Sequence, residues 1–225
     1  MSRRAIVIVV GLLLIAAFGA AVWFKPQPQQ PPNAVSALAK ATATTQTVEN
    51  AQALVRFHSP TFGPADAPVT IVEFFDPSCE ACRAFYPIVK QILAQYPDQV
   101  RLVFRYTLFH RGSEEVSRIL EAARLQNVYQ PVLEAVLEVQ PAWHDDPEVA
   151  KAWEAAEQAG LDTVKARETM QSERINAILA MDMQDVQAFG IRATPTFFVN
   201  GRQLTEFGAE PLLRLVQESL PSAKR

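Results

Sequence analysis

Residues 69–87 read VTIVEFFDPSCEACRAFYP, and the order of residue types in this stretch decides the fold. Val69 to Phe75 is almost continuously apolar, β-branched and aromatic, as a central strand covered on both faces should be. Asp76-Pro77 ends it, because proline has no N–H to give to a ladder. Ser78 is a residue type that caps helix N-termini. From Cys79 to about Tyr96, the apolar residues Cys82, Phe85, Tyr86, Val89, Ile92 and Leu93 recur with helical period, and Pro87 among them predicts a kink. A strand therefore hands a CxxC, Cys79-Glu80-Ala81-Cys82, to the first turn of a helix.

Those two cysteines are the only ones among 225 residues, too few for a disulfide-stapled scaffold. A bond across two residues restricts the unfolded chain little, so it is better suited to reaction than to structure. At a helix N-terminus the free N–H groups and the dipole favour an anion, which lowers the Cys79 thiol pKa and populates the attacking thiolate. Cys82, one turn in on the same face, can reach Cys79 while shielded from solvent. Cys79 is thus the outer, attacking sulfur and Cys82 the inner, resolving one.

Glu80 puts a carboxylate beside Cys79 and disfavours a second anion there. Glu73, in the buried strand, should have a raised pKa and be able to relay a proton; the alternative is a strand-end glutamate that reaches solvent. A zinc half-site is a poor alternative: His58, His110 and His144 are not at ligand spacing to one another, and no metal or dissociable cofactor is expected. Two other readings stay open, a Cu(I)-handling protein using the thiolate pair and a structural adaptor tethered to a membrane.

Around this centre, Val100 to Phe109 is a second strand, which makes a parallel strand–helix–strand crossover. Ser113 to about Ala188 reads as helical, in pieces Ser113–Gln126, Pro131–Val139, Pro147–Ala159, Leu161–Gln171 and Ser172–Phe189. Thr196 to Val199 and Arg202 to Leu204 flank Asn200-Gly201, a tight hairpin signal, and Glu210 to Leu220 is a closing helix. Ala53 to Phe57 reads as a short strand and Ser59 to Pro68 as a loop. Phe57, Phe74, Phe75, Phe104, Phe197 and Phe198 read as core. Phe62, Phe85, Phe109 and Phe207 are weaker candidates for lining a peptide groove. His110 reads as a plain loop histidine, and Trp143 to Asp146 as a loop between helices.

The N-terminal portion differs in character. Ala5 to Phe24 is 20 residues without a charge, preceded by Arg3 and Arg4 and long enough as a helix, at about 30 Å, to cross a bilayer. The arginines place the N-terminus in the cytoplasm and residues 25–225 across the membrane. A membrane anchor over 1–24 is favoured over a cleaved signal peptide, whose site would be Gly19-Ala20-Ala21. Residues 25–52, rich in Pro, Gln and Ala, read as an extended linker. The chain is 49% hydrophobic and 20% charged, which suits a packed core. Setting aside Arg3, Arg4 and Lys25 leaves 18 basic against 24 acidic residues, which argues against nucleic-acid binding.

Glu73-Phe74-Phe75, Cys79-Glu80-Ala81-Cys82, Pro87 and Ala193-Thr194-Pro195-Thr196-Phe197-Phe198-Val199-Asn200-Gly201 together resemble the thioredoxin fold, in its DsbA-like branch with a helical insertion. The resemblance covers roughly 55–220. It implies an α/β thioredoxin fold with an inserted all-helical domain: a thioredoxin-like domain over 53–112 and 190–225, and the insertion over 113–189. It implies a cis Thr194–Pro195 bond beside the dithiol, with Thr194 and Pro195 binding the extended substrate backbone, and a proton-accepting role for Glu73. The activity implied is that of an exported thiol–disulfide oxidoreductase in the periplasm. It would exchange a Cys79–Cys82 disulfide with cysteine-containing protein substrates as an oxidase, and a membrane redox partner would reset it. Glu80-Ala81 departs from the Pro-His of the family's archetypal oxidase, and Thr194 before the proline resembles the isomerase branch. A reductase or isomerase is therefore the alternative direction.

Overall fold

The computed structural model describes residues 51–221. The expected anchor (1–24) and the linker up to residue 50 lie outside the described residues. Among the described residues no helix is long and apolar enough to cross a membrane.

Five strands form one sheet in the order β1-β3-β2-β4-β5: β1 Thr61–Phe62, β2 Val69–Phe75, β3 Val100–Tyr106, β4 Thr196–Val199 and β5 Arg202–Gln203. The central strand β2 runs parallel to β3, from Val69 opposite Val100 to Phe75 opposite Tyr106. On its other side β2 pairs antiparallel with β4, placing Glu73 opposite Phe197. The parallel pair is joined by α1, Glu80–Gln95, which is continuous through Pro87. Asn200 (φ 47°) and Gly201 (φ 85°) make the tight turn between β4 and β5, in the left-handed region that such hairpins need. The Asn200 amide then bridges back to β2's end, accepting from Thr70 N (2.8 Å) and donating to Pro68 O (3.1 Å).

The sheet alternates strictly, and the alternation decides what faces the dithiol. Val69, Ile71 and Phe75 of β2, with Leu102, Phe104 and Tyr106 of β3, join a large apolar cluster with Cys82, Phe85, Val89 and Ile92 of α1. Glu73 shares their parity and so belongs to that face. The closing helix α7, Ala209–Ser219, adds Leu212, Leu215 and Val216. Between β3 and β4 the chain forms α2 Ser113–Leu125, α3 Tyr129–Glu138, a 3-10 turn Gln140–Ala142, α4 Ala150–Gln158, α5 Thr163–Thr169 and α6 Glu173–Ala188. Residues such as Ile119, Val136, Trp143 and Ile178 pack into the same cluster.

Val72, Phe74, Val103 and Phe198 point to the opposite face, where they meet Leu54, Ile191 and Val186 of α6. Arg105 also has this parity and is fully buried. Its guanidinium donates to Asp182 Oδ1 (2.8 Å), Leu54 O (2.7 Å) and Asp185 Oδ2. Asp182 further accepts from Tyr106 N (2.8 Å) and lies 2.9 Å from His58 Nε2, while Arg56 grips Asp185 with two bonds of 2.7 Å. Two arginines thus offset two aspartates, and the network ties α6 and the incoming chain to β3.

That network explains one correction. The strand expected over Ala53–Phe57 is instead a 3-10 turn, Ala51–Leu54, followed by a tight turn in which Ser59 N bonds to Arg56 O (3.0 Å). Leu54 has to be buried and Arg56 has to reach Asp185, and an extended edge strand would not deliver both. Phe57, expected in the core, is 94% exposed at the apex of that turn. The edge strand comes later, inside the stretch read as a loop, with Thr61 opposite Val103 and Phe62 opposite Leu102. The parallel crossover with an antiparallel hairpin beyond it is the thioredoxin layout that the motifs implied.

Candidate active site

The dithiol is held by the end of β2, the first turn of α1, and residues from far along the chain. Cys79 rather than Ser78 is the N-cap of α1, with extended backbone (φ −78°, ψ 121°). Its N–H donates to Asp76 O (3.1 Å). Ser78 takes another role, donating its N–H to Asp76 Oδ1 (2.9 Å) in a local turn that aspartate favours. The two cysteines are not disulfide-bonded to each other, and both are buried. Cys79 Sγ lies 3.3 Å from Thr194 O, to which it donates, and Asp76 N donates to Cys82 Sγ at 3.5 Å. The Thr194–Pro195 peptide bond is cis.

The electrostatics separate the two sulfurs. The Cys79 thiol is lowered to about 5, first by a hydrogen bond from Cys82, against the opposing cost of burial, and then by the Thr194 side chain and the N–H groups at the start of α1. Cys82 is pushed well up, by burial first, then by its bond to Cys79 and by the charges of Glu73 and Cys79. The pair therefore carries one anion, on the outer sulfur. Glu80, expected to hold Cys79 back, turns away: its side chain is 70% exposed and its Oε1 lies 3.8 Å from His144 Nε2.

Glu73 is buried under the dithiol, and neither of its carboxyl oxygens has a hydrogen-bond partner. Burial, and secondarily the Cys79 charge, hold its pKa well above the ordinary carboxylate range. An unpaired buried carboxyl is stable only when neutral. Burial thus favours the neutral form of the Glu73 carboxyl, which lies close enough to influence Cys82.

The structure brings together all five residues singled out from the sequence, Glu73, Cys79, Cys82, Thr194 and Pro195. It adds two that sequence reading did not assign to the site. Asp76, read only as a strand terminator, is fully buried and accepts from Ser78 N, Ser113 Oγ (2.6 Å), Phe109 N (2.8 Å) and His110 Nδ1 (2.9 Å). One carboxylate so fixes the CxxC loop, the segment after β3 and the start of α2. Gly112 (φ +76°) makes that last reach possible, and a Cβ there would come within 2.7 Å of Val149 Cγ1. Gln140 is the second. Its amide donates to Pro77 O (2.6 Å) and Cys79 O (3.1 Å), and its carbonyl accepts from Arg83 Nε (3.1 Å). The Asp-Pro-Ser turn was a usable signal for Asp76; nothing local marks Gln140.

A family model described as Thioredoxin matches residues 57–218. The chain belongs to the thioredoxin family. Within that family its fold is that of the DsbA-like thiol–disulfide oxidoreductases. A thioredoxin-like oxidoreductase from Silicibacter pomeroyi aligns with a TM-score of 0.67 at 27% identity, covering 76% of this chain and 97% of its own. BdbD from Bacillus subtilis aligns with a TM-score of 0.63 at 24% identity, over 72% of this chain and 92% of its own. The α-DsbA1 of Wolbachia pipientis follows with 0.65 at 15%, over 73% and 92%. The last two show shared fold alone. Among curated relatives, the Na(+)/H(+) antiporter NhaA 3 of Salinispora tropica is 31% identical over 166 residues, 72% of this chain and 25% of its own length. This thioredoxin-family chain thus spans about a quarter of the length of the curated relatives it matches.

Proposed function

We propose that the chain is a thiol–disulfide oxidoreductase that forms disulfides in protein substrates, on the far side of a membrane to which residues 1–24 anchor it. The supporting observation is the split between the two sulfurs, Cys79 lowered to about 5 and Cys82 raised. A stabilised thiolate makes the reduced form favourable and the disulfide correspondingly oxidising. A value of about 5 lies between the roughly 7 of thioredoxin and the roughly 3.5 of DsbA.

The chemistry follows from these roles. A substrate thiolate attacks Cys79 Sγ of the disulfide, an S–S bond to substrate forms, and the Cys79–Cys82 bond breaks. The electron pair leaves on Cys82, whose buried sulfur requires a proton, and the Glu73 carboxyl supplies it. A second substrate thiolate then attacks the substrate sulfur, and Cys79 departs as a thiolate, a good leaving group because of its low pKa. The substrate loses two electrons and the protein gains them, to be passed to a membrane redox partner. Thr194 and Pro195 bound the site where the substrate backbone lies. A Cu(I)-handling role is less well supported, since it needs both sulfurs as thiolates and Cys82 is held as the thiol.

The deciding measurement is the reduction potential of the couple. Oxidation of substrates predicts a value closer to about −120 mV than to about −270 mV. A value near the lower figure would reverse the direction and make the chain a reductase or isomerase. The part given to Glu73 has its own test. Glu73→Gln is expected to slow release of Cys82 from the disulfide by about a hundredfold at neutral pH, the scale of general acid–base catalysis. Stopped-flow rates unchanged at every pH would remove the role.

A further inference from the structure

Beside the carbonyl that holds Cys79 lies a groove of ≈ 560 Å³ walled by Phe109, His110, Ile191, Arg192, Ala193 and Thr194. Two segments build it, the chain leaving β3 and the chain approaching the cis bond. Both residues of the first are fixed from behind by Asp76, which accepts from Phe109 N and His110 Nδ1 through the same oxygen, Oδ2. Phe109 keeps 39% of its surface exposed and so offers an apolar wall. The His110 side chain is 45% exposed, and its Nε2 makes no bond among the described residues. Arg192 is exposed, and its guanidinium has no partner among the described residues.

Among the described residues no carboxylate lines this groove. The Asp76 carboxylate that anchors it is fully buried, with its oxygens taken up by Ser78, Ser113, Phe109 and His110. The rim formed by the CxxC dipeptide has the opposite sign: the side chains of Glu80 and Asp145 are 70% and 92% exposed and flank His144. An unpaired arginine with a fork of donors is suited to gripping a carboxylate. Arg192 stands two residues before Thr194, so an extended chain at about 3.3 Å per residue brings a side chain within about two residues of the reacting cysteine to it.

We propose that this groove reads the residues flanking the substrate's cysteine and selects an acidic side chain within about two positions of it. Arg192 is the principal specificity residue and His110 an additional donor when protonated. The proposal rests on the exchange activity given under Proposed function, and its test separates the two.

The probes are short reduced peptides with a single cysteine and either Glu or Gln two residues before or after it. The oxidised full chain is mixed with each, and the second-order rate constant of mixed-disulfide formation is measured. The Glu-to-Gln rate ratio for at least one peptide pair is expected to be about three- to fivefold higher in the natural protein than in Arg192→Gln, the scale of one exposed ion pair. The difference should vanish at about 0.5 M salt. Comparing ratios cancels the effect that a neighbouring Glu has on the peptide's own thiol. The same ratio in both proteins, for both pairs, overturns the selectivity while leaving exchange intact. Failure of every peptide to react overturns the exchange activity and the selectivity with it.

Discussion

Cys79→Ser is expected to abolish the proposed disulfide exchange, by about a thousandfold or more, because no other thiolate stands at the mouth of the site. Cys82→Ser gives a different outcome: Cys79 still attacks, but the mixed disulfide persists and can be isolated with substrate attached. Cys79 should carry an inflection near pH 5 in its alkylation rate, and Cys82, fully buried, should resist the same reagent. A stability consequence follows with a definite sign. The folded Cys79 pKa lies below its unfolded value of about 8.5, so the thiolate stabilises the reduced fold fully above that value, and the contribution is lost as pH falls toward about 5. The disulfide form has no such contribution, and the burial of Glu73 is common to both forms. Denaturation midpoints of reduced and oxidised protein should therefore diverge in favour of the reduced form as pH rises through this window. A constant difference would contradict the assignment of the charge to Cys79.

The second large effect lies on the opposite face of the sheet. Arg105→Met is expected to destabilise the fold by about 3–5 kcal/mol, the usual cost of removing one partner from a buried charge network. Asp182 would keep only Tyr106 N and the neutral or protonated His58, and Asp185 would keep the half-exposed Arg56. The bond from Arg105 to Leu54 O (2.7 Å) would also be lost, freeing the 3-10 turn that packs against the sheet. Denaturant unfolding measures the loss, and a change below about 1 kcal/mol would mean that the network is no more than an exposed ion pair in effect. The Cys79 alkylation profile should not move, since Arg105 points away from α1.

What could be read from the sequence was whatever local chemistry dictates. The run Val69–Phe75 has to be a central strand, Asn200-Gly201 has to turn, and a CxxC after a strand has to sit at a helix start. The fold and the roles of Thr194 and Pro195 followed only when these were joined to the motif around Pro195 as a resemblance to the thioredoxin family. What could not be read was pairing across distance. Arg105 finds Asp182 and Asp185, 77 and 80 positions further along, only once the chain between them has folded. The i, i+3 spacing of those aspartates on α6 was the one local trace of it. Phe57 was misplaced for the same reason: its residue type says core, but Leu54 and Arg56 just before it hold the turn in which it is left outside. The effect of Glu80 was likewise assumed from adjacency, whereas its direction is set by the helix start and points it toward His144, 64 positions on.

Gln140 has a bearing on how such a protein can be remade. It stands in the connection between α3 and α4, and its one amide group holds two backbone oxygens of the loop that carries Cys79. Trimming the helices between β3 and β4 to leave a minimal thioredoxin would therefore not yield the same couple in a smaller body. It would unfasten the dithiol loop, and any graft of this CxxC onto a plainer scaffold has to bring a replacement clasp with it.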